Sequence, residues 1–339
     1  MRFDFGAYVT ETLFDRGGAA FALGDGTVRW DDGAATTAHD GAILHAAAHP
    51  SGEGVITGGD DGRLVWSRRA GADLIAETPG RWIDALAVCA PAGLIAFAAG
   101  REVQVREVGD SAFSHHFVHD KSVAAIAFEA KGRRLAAATY GGVALWYARI
   151  GEQKPVMLRW AGSHIAVAFS PDGRFVVSAM QENALHGWRL SDTSDMRMGG
   201  YPAKPRSLAF LARGAVLATS GANGVVLWPF SGGAGPMGKQ AEDIGHDESS
   251  LVTRVAGAGR QLAAGRDDGR VWASDLAARG IDWIKSDKGP PITALAIDGA
   301  GRVAWGDEQG GAGVGEELKN GDGFGLFDIS GGDSGVRQR

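Results

Sequence analysis

The densest group of potential metal ligands in the 339-residue chain is His115-His116-Phe117-Val118-His119. Zinc takes such imidazoles in sets of three or four ligands. Successive side chains of a strand leave opposite faces, so only some of these rings can converge. Cys89 is the single cysteine, and no second histidine cluster completes a set. No metal site is expected. His45 and His49, four residues apart on one strand face, stand roughly 13 Å apart at strand rise. That is too far to share an ion, so they read as surface or channel residues. Nucleophilic chemistry has no signature either: no Gly-x-Ser-x-Gly elbow is present, and no P-loop or His-Glu-x-x-His. The Gly-rich stretch Gly306–Gly323 is not followed by a helical pattern, which argues against a phosphate cradle. No catalytic residue and no cofactor are expected, and the chain is not expected to be an enzyme.

The elements that position these residues repeat. One unit recurs: an apolar strand, a turn ending in Gly, a second apolar strand, a polar-Gly turn, a third strand carrying an aromatic, and a ragged fourth strand. The first turn ends at Gly52, Gly93, Gly132, Gly173, Gly214, Gly259 and Gly301, in steps of 39 to 45 residues. Glycine suits a turn position with positive φ, and this period is that of a four-stranded propeller blade. The second turn gives an independent count. Asp25-Gly26 leads to Trp30, Asp61-Gly62 to Trp66, Gly141-Gly142 to Trp146, Asn183-Ala184 to Trp188, Asn223-Gly224 to Trp228 and Asp322-Gly323 to Phe327. Two further units, around Gly100 and Asp268-Gly269, are degenerate.

These counts predict an all-β, closed β-propeller of four-stranded antiparallel blades, with eight blades favoured over seven. The innermost strands are expected at 43–48, 85–89, 123–128, 165–169, 207–211, 252–256 and 293–297. A single domain should span residues 1–330, with a Gly-rich loop insertion at 307–321 and a tail at 331–339. The last unit reads as Val303–Gly306, the insertion, and then a third strand at Gly325–Ser330. It lacks a fourth strand, which Arg2–Val9 is placed to supply from the N-terminus.

Composition agrees. Gly is abundant at 53 residues and Pro scarce at 11, which fits tight turns between strands. The net charge of −6 does not favour a nucleic-acid platform. No signal-peptide pattern opens the chain and no apolar run spans a membrane, so a cytoplasmic protein is expected.

The units resemble the WD-repeat family over roughly residues 10–330. One unit matches fully, with His39, Thr57, Asp61 and Trp66 in the phrase around Thr57-Gly58-Gly59-Asp60-Asp61-Gly62. His119, Thr139 and Trp146 form a partial set, as do His246 and Asp268 with Trp272 out of register. The resemblance implies a structural tetrad of His39, Thr57, Asp61 and Trp66 that locks the turn to the blade, with loss of the Trp66 side chain costing about 3–5 kcal/mol.

The resemblance also implies a partner-binding rim made by the loops that enter the first strands and join the second to the third. Residues expected there are Arg81, Trp82, Lys121, Tyr140, Trp160, His164, Tyr201, Lys204, Arg206 and Arg266, aromatic and basic types that anchor interfaces. Trp82 and Trp160 could instead pack between blades. The implied function is a protein or peptide scaffold, a monomeric ring within a larger assembly. The rivals are a propeller binding a small ligand or metal, and a propeller hydrolase or lyase. Converging His and carboxylate groups at the channel mouth favour the rivals, whereas an exposed aromatic and Arg patch favours partner binding.

Overall fold

A computed structural model describes residues 1–315. Among them every regular element is a strand apart from two short 3-10 turns, Ala90–Ala92 and Ala212–Gly214. The second strand of each repeat shows why the apolar runs do not alternate. Gly18–Leu23, Val55–Gly59, Leu94–Ala99 and Phe175–Met180 are buried at every residue. Each lies inside a sheet with a neighbouring sheet on either face, so both sets of side chains are sequestered. Apolar clusters fill the gaps between sheets. Ile56 and Leu64 of one sheet, for example, meet Ile95 and Phe97 of the next, with Ile83 between them.

The strands form seven antiparallel sheets, six of four strands and one of six. The first strands of the repeats stand side by side about an axis. Val9–Asp15, Ile43–Ala48, Ala85–Cys89, Val123–Phe128, the end of Val156–Phe169, Leu208–Leu211, Val252–Ala258 and Ile292–Ile297 neighbour one another in that order, and the last returns to the first. The chain is therefore a closed, all-β propeller.

The expectation of eight separate four-stranded blades is corrected. The repeats over 123–198 share one six-stranded sheet, which brings the sheets to seven. Two 14-residue strands cause the merger. Arg134–Tyr147 runs through the turn position where other repeats break, and Val156–Phe169 pairs on one side through Val156–Arg159 and Ser163 and on the other through His164–Phe169. At the bend Gly142 has φ 142°, and a Cβ there would sit 2.1 Å from the Leu158 carbonyl oxygen. Only glycine fits such a position.

The last sheet runs in the order Ile292–Ile297, Val303–Asp307, Gly311–Gly315 and Arg2–Asp4, with the N-terminal strand outermost. Arg2 lies opposite Gly313 and Asp4 opposite Gly311. The strand is shorter than the expected 2–9, because Val9 already begins the first inner strand. A second correction concerns the loop expected at 307–321. Residues 311–315 are not loop but the third strand, because Glu308-Gln309-Gly310 makes the turn: Asp307 Oδ1 accepts the backbone N–H groups of Gln309 (2.9 Å) and Gly311 (2.8 Å). The third strand expected at 325–330, Phe327 and the tail at 331–339 lie outside the described residues.

Candidate binding face and axial channel

Six inner strands carry the same irregularity. The pairing register shifts between Val9 and Glu11, Ile43 and His45, Val123 and Ala125, His164 and Ala166, Val252 and Arg254, and Ile292 and Ala294. A bulge of this kind re-aims the residue that follows it. At three of the six that residue is alanine. At the others it is Glu11, His45 and Arg254, and all three line a space of about 490 Å³ enclosed by the inner strands. This is the axial channel. Burial there pushes Glu11 up to about 7, against the opposing pull of Arg254. Burial also lowers His45 below its usual value, with the Asp84 backbone and charge working the other way.

The channel opens into a second cavity of about 570 Å³, on the face formed by loops that enter first strands and join second to third strands. Lys204, Arg206 and Arg254 line it together with Tyr8, Asp267 and Glu308. Of these, Arg206 and Arg254 also line the channel below. On the same face a smaller depression of about 380 Å³ is bordered by Val118, Lys121, Tyr140, Met157 and Arg159. Val118 is 71% exposed, Tyr140 65% and Met157 36%, so three large apolar side chains stand in solvent within one patch.

The rim residues expected from sequence divide into distinct groups. Lys121 and Tyr140 come together at the depression, and Lys204 and Arg206 at the channel mouth. Trp82 is 61% exposed and Arg81 beside it pairs with Glu102 at 3.3 Å. Trp160 has one face stacked on His186, with centroids 3.8 Å apart, and the remainder exposed.

Three residues are corrected: His164, Tyr201 and Arg266 are buried and brace the interior. His164 Nδ1 bonds the Ser178 hydroxyl at 2.7 Å and its Nε2 bonds the Trp160 carbonyl at 3.1 Å. Tyr201 links to Thr219 at 2.6 Å and accepts the Trp228 indole N–H at 2.6 Å, while burial pushes its phenol up to about 12. Arg266 donates to the Ser250 hydroxyl and to the carbonyls of Gly245, Asn223, Asp247 and Ser250.

The set around His39 is partly as expected. Asp61 is an acceptor only, so its 2.9 Å bond places a proton on His39 Nδ1, and Nε2 meets the Thr57 hydroxyl at 2.8 Å. Burial pushes Asp61 up, but the Arg63 backbone N–H and His39 outweigh it and hold the carboxyl below its usual range. Trp66 is corrected, because it stands outside this network. Thr57 lies opposite Val65 and Ile56 opposite Trp66, so the indole points to the other face of the sheet. There its N–H donates to the Glu53 carbonyl at 2.8 Å and its ring stacks on His49, with centroids 4.1 Å apart. In the partial set, His119 accepts the Trp146 indole N–H at 3.0 Å. His246 bonds Asp243 rather than Asp268, which is held by Arg270.

Among the described residues no three His, Cys, Asp or Glu side chains are grouped to hold a metal ion. No helix among them is long and apolar enough to cross a membrane. Sequence reasoning missed Glu11, Arg254, Val118, Met157 and Arg159. A signal existed for the first two: each is a charged residue two places after the buried valine that opens an inner strand, where three other repeats carry alanine.

With this geometry in hand, comparison with known proteins bears on family and fold. Residues 34–66 match the family model described as WD domain, G-beta repeat. This stretch contains His39, Thr57, Asp61 and Trp66. No curated protein shows a significant sequence match. Among solved structures, the computationally designed Ika8 protein superposes with a TM-score of 0.72 at 18% identity, over 92% of this chain and 97% of its own. At that identity the likeness concerns the fold. In all 1723 solved chains match, so the architecture by itself does not select a function.

Proposed function

We propose that this WD-repeat propeller is a non-catalytic scaffold that binds a protein or peptide segment on the face bearing Tyr140. In this reading it works in the cytoplasm as a single ring within a larger assembly. The observation that carries it is the depression beside Tyr140, where Val118, Tyr140 and Met157 are exposed together and Lys121 and Arg159 flank them. Grouped apolar side chains rimmed by charge mark interaction sites more often than scattered ones do. Aromatic and basic anchors at the centre of such a patch carry most of the energy of binding. The rigid ring beneath holds the patch in one shape, which lowers the ordering cost of association.

The test is affinity capture from the native cell extract. Wild-type protein is compared with a variant carrying Tyr140→Ala, Met157→Ala and Lys121→Ala, after circular dichroism has shown both to be folded. A protein held by wild type and lost by the variant is the expected result. Equal capture by both moves the interface away from this face, and capture by neither removes the basis for the scaffold reading.

A further inference from the structure

The channel mouth holds positive charge that nothing else in the described residues uses. Arg206 and Arg254 border both the mouth cavity and the channel, so both residues stand where the two spaces meet. Burial lowers Arg254 below its usual value, and Arg206 lowers it further, against the attraction of Glu11 and Tyr8. Among the described residues no carboxylate forms an ion pair with either arginine. The side chain of Arg254 donates to the Thr253 carbonyl at 3.1 Å. Glu11 is the carboxylate that faces it, and burial leaves Glu11 only partly ionised at neutral pH. Arg206 is exposed at the mouth and Arg254 is half-buried beneath it, and an arginine withdrawn from water normally has an anionic partner.

We propose that the mouth of the axial channel binds a small organic anion, whose carboxylate or phosphate group is held between Arg206 and Arg254. A planar guanidinium grips either group through paired N–H donors. The bulge before Arg254 is the device that turns its side chain to the axis. Lys204 adds a third cation at the mouth, whereas Asp267 and Glu308 line the mouth and not the channel. The mouth, at about 570 Å³, has the size of a small-molecule site and not of a folded partner. This site is independent of the patch at Tyr140, and either can fail without the other.

The experiment is calorimetric titration of the full chain at low salt with succinate, citrate and inorganic phosphate, and with succinamide as the neutral control. At least one anion is expected to bind once per chain with a Kd below about 1 mM, and succinamide is not. The comparison of phosphate with the two carboxylates identifies which anionic group the site prefers. Arg206→Met and Arg254→Met are each expected to weaken binding by about tenfold or more, and Arg254→Lys to weaken it less. A separate readout needs no ligand. If Arg254 is poised for an absent anion, Arg254→Met removes an uncompensated buried charge, and the variant melts at or above the wild-type temperature. The proposal is overturned if no anion binds below that limit, if binding survives both methionine variants, or if Arg254→Met melts several degrees lower, which makes Arg254 a structural brace.

Discussion

Trp66 and Trp228 each follow a threonine by nine residues, yet they take opposite sides of their sheets. Thr219 lies opposite Val226, two residues before Trp228, so that indole shares the threonine's face and reaches Tyr201. Thr57 lies opposite Val65, one residue before Trp66. The turn is one residue longer, and a one-residue slip exchanges the two faces of a strand. Trp66 consequently sits half-buried, whereas Trp30 is almost wholly enclosed and donates to Asp15 at 2.9 Å. Trp30→Ala should cost about 3–5 kcal/mol, as core aromatic truncations do. Trp66→Ala should cost about 2 kcal/mol, since less area leaves contact. Paired urea unfolding curves measure both, and equal losses contradict this placement. Spacing alone could not separate the two tryptophans. Spacing could have placed Tyr201, which precedes Thr219 by 18 residues as His39 precedes Thr57. It was hidden because a phenol stands where a histidine was sought.

At the scale of the strand, the sequence was most legible where composition is most constrained. Ile43–Ala48, Ala85–Cys89 and Val123–Phe128 form with the bounds their apolar pattern suggests. Runs of Ala and Val have few alternatives when both neighbours are other inner strands. The merged sheet was not legible, because nothing in the pattern distinguishes a turn at Tyr140-Gly141-Gly142 from a strand that bends and continues. Gly142 gives this element a direct test. Gly142→Ala places a methyl group against the Leu158 carbonyl in a backbone region that side chains rarely adopt. A loss of about 2 kcal/mol or more is expected by thermal melting. Gly71, also at positive φ (143°) but with open space around its Cβ position, is the control and should lose less. The bulges were equally invisible beforehand, and with them the reason that Glu11, His45 and Arg254 converge. Pattern reading assigns faces by strict alternation, which a bulge interrupts.

For the whole molecule, the channel couples stability to pH. Glu11 is raised from 4.5 to about 7 by burial, so the folded state holds its proton more tightly than the unfolded chain does. Its contribution is intact below pH about 4.5 and is lost as pH rises toward 7. His45 is depressed, so its contribution has the opposite sign and is lost as pH falls below 6.5. Wild-type stability therefore mixes the two, with Arg206 and Arg254 facing both, and the informative quantity is a difference. Glu11→Gln minus wild type should grow more favourable from pH 5 to pH 8 when followed by melting temperature, and a flat difference rejects the assignment of Glu11.

The last sheet joins Arg2–Asp4 to Gly311–Gly315, from opposite ends of the described chain. The Met1 amino group donates to the Val314 carbonyl at 2.7 Å, and Arg2 pairs with Asp287 at 2.6 Å. The other sheets are assembled from strands consecutive in the chain. This one is a seam. Its closure requires ordering nearly the whole length between the two strands, the slowest kind of contact to find. Until synthesis has delivered residue 315, both flanks of the seam are bare strand edges open to unrelated chains. The same place is where the ring should part first under mechanical load, because separating Arg2–Asp4 from its partner breaks one short ladder of hydrogen bonds and leaves the other sheets whole.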